Sequence, residues 1–218
     1  MSDSPTNPAA TVSLSGVLQS EADLRATYAA PSRHAVAKDI RRIDAHSRRF
    51  IELSPFLCMG TMGRDGTGDV SPRGGPPGFV HVLGDSQLAM PDHPGNNRLD
   101  SLSNLVSQPG VGLVFFIPGV EEVLRINGTA RVTTDERLRQ RLLVDGKAPR
   151  AAIVVDVVQV YLHCAKALRR ARLWDPASQI ARGSLPSAGQ IFRDQLALEH
   201  GVAAIDAALQ KDARDNLY

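Results

Sequence analysis

The chain has 218 residues, 43% hydrophobic and 22% charged, which is enough apolar material for a sizeable core and excludes a wholly disordered protein. Lys plus Arg is 25 and Asp plus Glu is 23, and the resulting net charge of +2 argues against general affinity for nucleic acid or membrane surfaces. Two cysteines, Cys58 and Cys164, with no Cys-x-x-Cys, argue against a disulfide-stapled domain, a zinc ribbon or an iron–sulfur protein.

Residues 1–16 are polar and rich in Ser, Thr and Pro, and are expected to form a flexible arm. They show no basic stretch leading into an apolar one, and no apolar run in the chain reaches about 18 residues, so the expectation is a soluble cytoplasmic protein. A short helix is predicted over Glu21 to Tyr28, capped by Ser20 and stopped by Pro31. The spacing of Val36, Ile40, Ile43, Ala45, Phe50 and Leu53 predicts one amphipathic helix from about Ala35 to Leu53, ended by Pro55.

From Phe56 the texture is that of strands and short turns. Phe56–Met62 reads as a strand, Asp65-Gly66 as a hairpin turn, and Asp69–Ser71 as the return. Strands follow over Phe79–Val82 and Gln87–Met90, then a polar turn and a short helix over Arg98–Val106. Gly112–Ile117 and the alternating Glu122–Thr133 are strands, Asp135–Leu143 a helix with Thr134 as cap, and Ala151–Leu162 a β-branched strand. Cys164–Trp174 and Leu185–Leu209 supply helices. Regular βαβ crossovers are absent. The order predicts a mainly β protein with peripheral helices: an antiparallel barrel of about six strands with helical N- and C-terminal extensions. The boundaries expected are an arm over 1–16, a helical extension over 17–55, the barrel over 56–175 and a helical extension over 176–218.

Three segments carry the chemistry. Gly66–Gly74 places Ser71 and Arg73 among glycines, a combination that holds a phosphate or simply forms a polar barrel rim. Pro91–Asn104 joins a strand to a helix, with Asn97 and Arg98 at the helix start: an anion site, or ordinary capping. Cys164–Trp174 puts Lys166, Arg169 and Arg170 on one helix face; Trp174 stacks on a planar ring or is core. His163 and Cys164 have no third ligand nearby, so no metal site is expected. His81 and His93 are isolated and read as surface or structural; no catalytic acid or base is assigned, Asp92 and His93 being the nearest candidates.

The runs DGTGDVSPRGGPPGFVHV, PDHPGNNRLDSLSN, VGLVFFIPGVEEVLRINGTARV and YLHCAKALRRARLW resemble the pyridoxamine 5'-phosphate oxidase-related, FMN-binding split-barrel family, in a bacterial branch, over about Leu24 to Leu185. The resemblance implies a six-stranded split barrel that forms a homodimer with FMN at the subunit interface. Carried over residue by residue, it gives Ser71 and Arg73, then Asn97, Arg98 and Ser101, as phosphate ligands. Asp69 and Val70 would offer backbone groups to the flavin ring, and Met90, Pro91 and Asp92 would lie by the ring or ribityl chain. Lys166, Arg170 and Trp174 would come from the partner chain. The function so implied is an FMN-dependent oxidoreductase acting on a small molecule, with NAD(P)H a candidate donor. A flavin carrier or redox sensor, and a deazaflavin- or haem-binding relative, are the alternatives. The Arg-x-Val-Leu-Leu-Lys strand of true pyridoxamine phosphate oxidases is replaced here by Gly68–Arg73, and their C-terminal Arg-x-His is not evident, so vitamin B6 oxidation is not expected.

Overall fold

A computed structural model describes residues 12–218. Part of the expected 1–16 arm therefore lies outside the described residues. Two compact units divide between Ala37 and Lys38. The first holds α1 (Glu21–Thr27) and α2 (Arg33–Ala37). A capping box starts α1: Ser20 Oγ accepts from the Asp23 N–H, and the Asp23 carboxylate accepts from the Ser20 N–H at 2.9 Å.

The single helix expected over Ala35–Leu53 is not formed. α2 stops at Ala37 and α3 spans Ala45–Leu53. Between them Arg41 takes a left-handed φ of 53°, which no helix accommodates. The intervening segment is used differently: the Ile40 and Ile43 N–H groups donate to the carbonyls of Val160 and Asp85, and Ile43 is buried. Asp44 then caps α3 through the Ser47 N–H at 2.8 Å.

The second unit is built on one antiparallel sheet. Its strands are β1 (Phe56–Met62), β2 (Gly68–Gly74), β3 (His81–Gly84), β4 (Gln87–Asp92), β5 (Gly110–Phe116), β6 (Val123–Thr133) and β7 (Ala151–His163), in the order β2-β1-β5-β6-β7-β4-β3. The sheet curls into a split barrel with helices at both ends of the chain, as the strand-and-turn texture implies. It has seven strands, counting the short β3 that pairs with β4.

Alternation fills the interior. In β1, Leu57 and Met59 point inward and Cys58 and Gly60 outward; in β5, Leu113 and Phe115 point inward. Leu88, Met90, Leu124, Ile126, Ile153, Val155 and Val160 complete the core. Each large side chain so buried stabilises the fold by about 1.5–3 kcal/mol. The long β6–β7 pair has a register shift at Asn127/Gly128, and a Cβ on Gly128 would run into the Asp156 carbonyl. Only glycine allows the two backbones to come this close.

Helix α4 (Asp100–Ser107) packs on β1, β2 and β6 through Leu105 and Ser101. Helix α5 (Glu136–Arg141) is capped by Asp135 rather than Thr134, since the Asp135 carboxylate accepts from the Leu138 N–H at 2.8 Å. The helix expected over Cys164–Trp174 is only α6 (Lys166–Ala171), ended by Arg172 in the left-handed region. Two 3-10 turns lead to α7 (Ala188–Leu196) and α8 (Val202–Asp215), which pack on each other. Among the described residues no helix is long and apolar enough to cross a membrane.

Candidate functional site

The edge strand β2 does not hydrogen-bond to the β3–β4 hairpin at the other end of the sheet, and the gap between β2 and the end of β4 opens into a cleft of about 890 Å³. The β2 wall follows from period-two geometry. Asp69, Ser71 and Arg73 share one face, directed to the seam, while Val70 points outward and is 72% exposed. Pro72 fits this strand because an edge strand need not donate on both sides.

The opposite wall is the β4–α4 connection. Asn96 Oδ1 accepts from the Arg98 N–H at 3.1 Å, and Asn97 and Leu99 both take left-handed φ values, 57° and 61°. Asparagine tolerates that region; leucine does so at a cost of about 1–2 kcal/mol. Leu99 is the N-cap of α4 and offers no side-chain acceptor. The first-turn N–H groups of α4 are thus left without a side-chain cap at the edge of the cleft, where the helix dipole favours negative charge.

Between the walls runs a chain of hydroxyls. Ser101, 4% exposed, donates to Asp69 Oδ2 at 2.7 Å, and Thr61 Oγ1 donates to the same oxygen at 3.1 Å. Ser71 Oγ lies 2.9 Å from Ser101 Oγ. Ser101 has one proton and gives it to Asp69, so Ser71 is the donor in that contact. Asn104 Nδ2 donates to Thr61 and completes the network.

Arg73 crosses the seam. Its Nη1 meets Asp92 Oδ1 at 3.3 Å, with the two side chains 20% and 16% exposed. Arg73 Nε is buried with no partner. Burial pushes the Asp92 carboxyl above the usual carboxylate range, against the opposing pull of Arg73 and His93. Burial also lowers the His93 pKa, Asp92 raising and Arg73 further lowering it. His93 Nε2 is buried and unpartnered, and the Tyr218 ring lies edge-on to the imidazole with centroids 5.0 Å apart. Arg98 is exposed and held by Asp100 at 2.8 Å. With Arg150 included, the side chains of three arginines and three aspartates line the cleft, so their formal charges balance.

Of the residues singled out in the sequence, Asp69, Ser71, Arg73, Pro91, Asp92, Asn97, Arg98 and Ser101 line this one cleft. Met90 does not: its side chain is fully buried in the core. Val70 is on the outer face. Lys166 and Arg170 are exposed on α6, and Trp174 donates its Nε1–H to the Val120 carbonyl at 2.8 Å; none of the three lines the cleft. Sequence reading missed Arg150 and Tyr218 altogether, while His93, isolated in sequence and named there only beside Asp92 as a nearest acid–base candidate, also lines the cleft. No local pattern marks Tyr218; its position depends on where α8 delivers the chain.

A model of the pyridoxamine 5'-phosphate oxidase family matches residues 43–164, more than half of the chain. No curated protein matches. Among solved structures, HupZ from Group A Streptococcus is similar at 14% identity and a TM-score of 0.46, over 55% of this chain and 93% of that one. General stress protein 26 from Bacillus anthracis is similar at 12% identity and a TM-score of 0.41, over 54% and 93%. An F420 reductase is similar at 16% identity and a TM-score of 0.38, over 53% and 94%.

Proposed function

Because the chain belongs to the pyridoxamine 5'-phosphate oxidase family, we propose that it is a cytoplasmic FMN-dependent oxidoreductase that holds the cofactor in the β2–β4 cleft. One observation carries the reading: Arg73, whose Nε is buried and unpartnered, shares a cleft with the Ser71–Ser101 hydroxyl pair and the uncapped start of α4. Arg73 Nε and the start of α4 are donors without a side-chain acceptor, the two hydroxyls can be re-aimed beside them, and a phosphate monoester supplies the acceptors.

The residues fit the group, with one chemical condition. Asp69 already accepts the Ser101 proton, so a phosphate that takes a hydrogen bond from Ser101 must draw it away from Asp69. The cleft side chains are also formally balanced, so hydrogen-bond geometry rather than bulk attraction selects the phosphate. Arg73 and Arg98 hold the phosphate, with Asn97, Ser71 and Ser101 as neutral donors. The main chain of Asp69 and Val70 faces the ring. Pro91, Asp92 and the Met90 backbone flank the ring or ribityl chain.

Bound FMN supplies hydride and electron transfer; the protein orients it and excludes water. The substrate is a small organic molecule and NAD(P)H the donor. A second copy of the chain completes the site with Lys166, Arg170 and Trp174. The outward row Val70, Phe56, Cys58, Val114 and Phe116 on β2, β1 and β5 supports such a homodimer, since Phe56 and Val70 are exposed apolar residues on that face.

Titration of the purified protein with FMN, followed by flavin fluorescence, tests the reading. We expect saturable binding that Arg73→Ala weakens about 10–100-fold, the worth of a charge-assisted hydrogen bond. Failure of the wild-type protein to bind FMN overturns it, and binding of deazaflavin or haem instead redirects it. Reduction by NADPH with turnover on a quinone separates an enzyme from a carrier.

A further inference from the structure

Leu217 and Tyr218 line the cleft although α8 ends at Asp215 and α7 and α8 pack chiefly on each other. Among the described residues one aromatic contact and one hydrogen bond hold this segment. The Tyr218 ring stands edge-on to His93, at 5.0 Å and 73°, and Lys147 Nζ donates to the Tyr218 main-chain oxygen at 2.9 Å. Lys147 is set in place by a tight turn, Val144–Lys147, in which Asp145 and Gly146 have positive φ. Leu217 itself remains largely exposed.

The Tyr218 ring packs against the same imidazole whose Nε2 is buried with no hydrogen-bond partner, and an aromatic contact gives that nitrogen neither donor nor acceptor, which is a costly way to leave a polar atom. The two contacts of the segment are each weak, an aromatic edge contact and one surface hydrogen bond. A ligand group offering His93 Nε2 a donor or acceptor replaces an unsatisfied atom by a satisfied one. Withdrawal of Tyr218 also releases the Lys147 ammonium from the Tyr218 main-chain oxygen.

We propose that Leu217–Tyr218 is a displaceable strap over the cleft, and that the ligand which displaces it takes His93 Nε2 as a hydrogen-bond partner. The inference rests on the cleft being the cofactor site, as proposed above, and adds to it a residue that contacts the bound molecule and a segment that competes with that molecule. The strap covers without filling: the cleft keeps its 890 Å³ with Tyr218 in place, so the competition is confined to the His93 end.

Two measurements on the full-length protein test this. The first needs no cofactor: diethyl pyrocarbonate labelling of His93, read by peptide mass spectrometry with the exposed His34 and His200 as internal standards. Tyr218→Ala is expected to speed labelling of His93 at least several-fold and leave the standards unchanged. The second is FMN titration. Tyr218→Ala is expected to bind FMN about ten-fold tighter than wild type, and Lys147→Ala to shift affinity the same way by less, because only the tether is lost. Unchanged labelling of His93 overturns the cover. Faster labelling with equal or weaker FMN binding overturns displacement, and leaves the FMN reading standing. Absence of FMN binding in both wild type and Tyr218→Ala removes the FMN reading and with it the ligand half of this inference, while the labelling result still decides the strap.

Discussion

Arg73→Ala in the ligand-free protein isolates the ion pair that spans the barrel seam. The pair has a single contact, Arg73 Nη1 to Asp92 Oδ1 at 3.3 Å, with Arg73 Nε unused. At an effective dielectric of about 20, unit charges about 4 Å apart attract by about 4 kcal/mol. Taking two charges to exposures of 20% and 16% costs as much as this attraction or more, so the intact pair adds nothing net to stability. The two single variants are therefore unequal. Arg73→Ala leaves the Asp92 carboxylate largely buried and uncompensated, and is expected to cost about 2–3 kcal/mol at pH 7. Asp92→Asn leaves the Arg73 guanidinium without its counter-charge but keeps an amide oxygen in place to accept from Nη1, and is expected to cost less, about 1 kcal/mol.

The pH dependence carries a sign. The folded-state pKa of Asp92 is raised, with burial the largest cause. An ionised Asp92 therefore weighs against the fold, and its contribution to stability falls as pH rises from the ordinary carboxylate value through the raised one. In Arg73→Ala the opposing pull of the guanidinium is gone, so the pKa rises further and the deficit against wild type shrinks as the solution is acidified. Urea unfolding of wild type, both single variants and the double variant at about pH 7 and about pH 4.5 measures this. Equal costs for the two single variants at pH 7, or an Arg73→Ala deficit that does not change with pH, would refute the reasoning.

Three further outcomes are expected. Gly128→Ala forces a methyl into the Asp156 carbonyl and should lower stability by more than about 2 kcal/mol in thermal or urea unfolding, since neither strand of the β6–β7 pair has room to yield. Asp69→Asn removes a negative charge from the cleft and weakens the hold on the Ser101 hydroxyl, so FMN should bind about 3–10-fold tighter by fluorescence titration; weaker binding would place the phosphate elsewhere. His93 has its pKa lowered by burial, so below the unfolded value of about 6.5 the unfolded chain takes up the proton first and stability falls. Replacing it by Gln should flatten the loss of stability between about pH 7 and about pH 5, and an unchanged slope would mean His93 titrates alike in both states.

What the sequence determined is what depends on neighbours along the chain. The alternation in Phe56–Met62 and Gly110–Phe116 needs only period two and a buried face. The Asp65-Gly66 turn needs a residue free to take positive φ, and Gly66 does so at 81°. The sharing of one face by Asp69, Ser71 and Arg73 is likewise local, as is the placement of Asn97, Arg98 and Ser101 around a helix start.

The failures of local reading have a common cause. The apolar spacing from Val36 to Leu53 suits a helix, but Ile43 gains more by burial against the barrel than by continuing a helix, and the backbone of Ile40 and Ile43 finds partners on Val160 and Asp85. Tertiary structure alone decided that Arg73 meets Asp92 across strands that share no hydrogen bonds, and that Asp69 takes the proton of a serine 32 positions away. It alone set Tyr218 over His93. Backbone propensity fixes where a side chain points within its own strand or turn. Which groups meet across a seam depends on how the whole sheet closes, and that closure is a property of the packed core rather than of any segment.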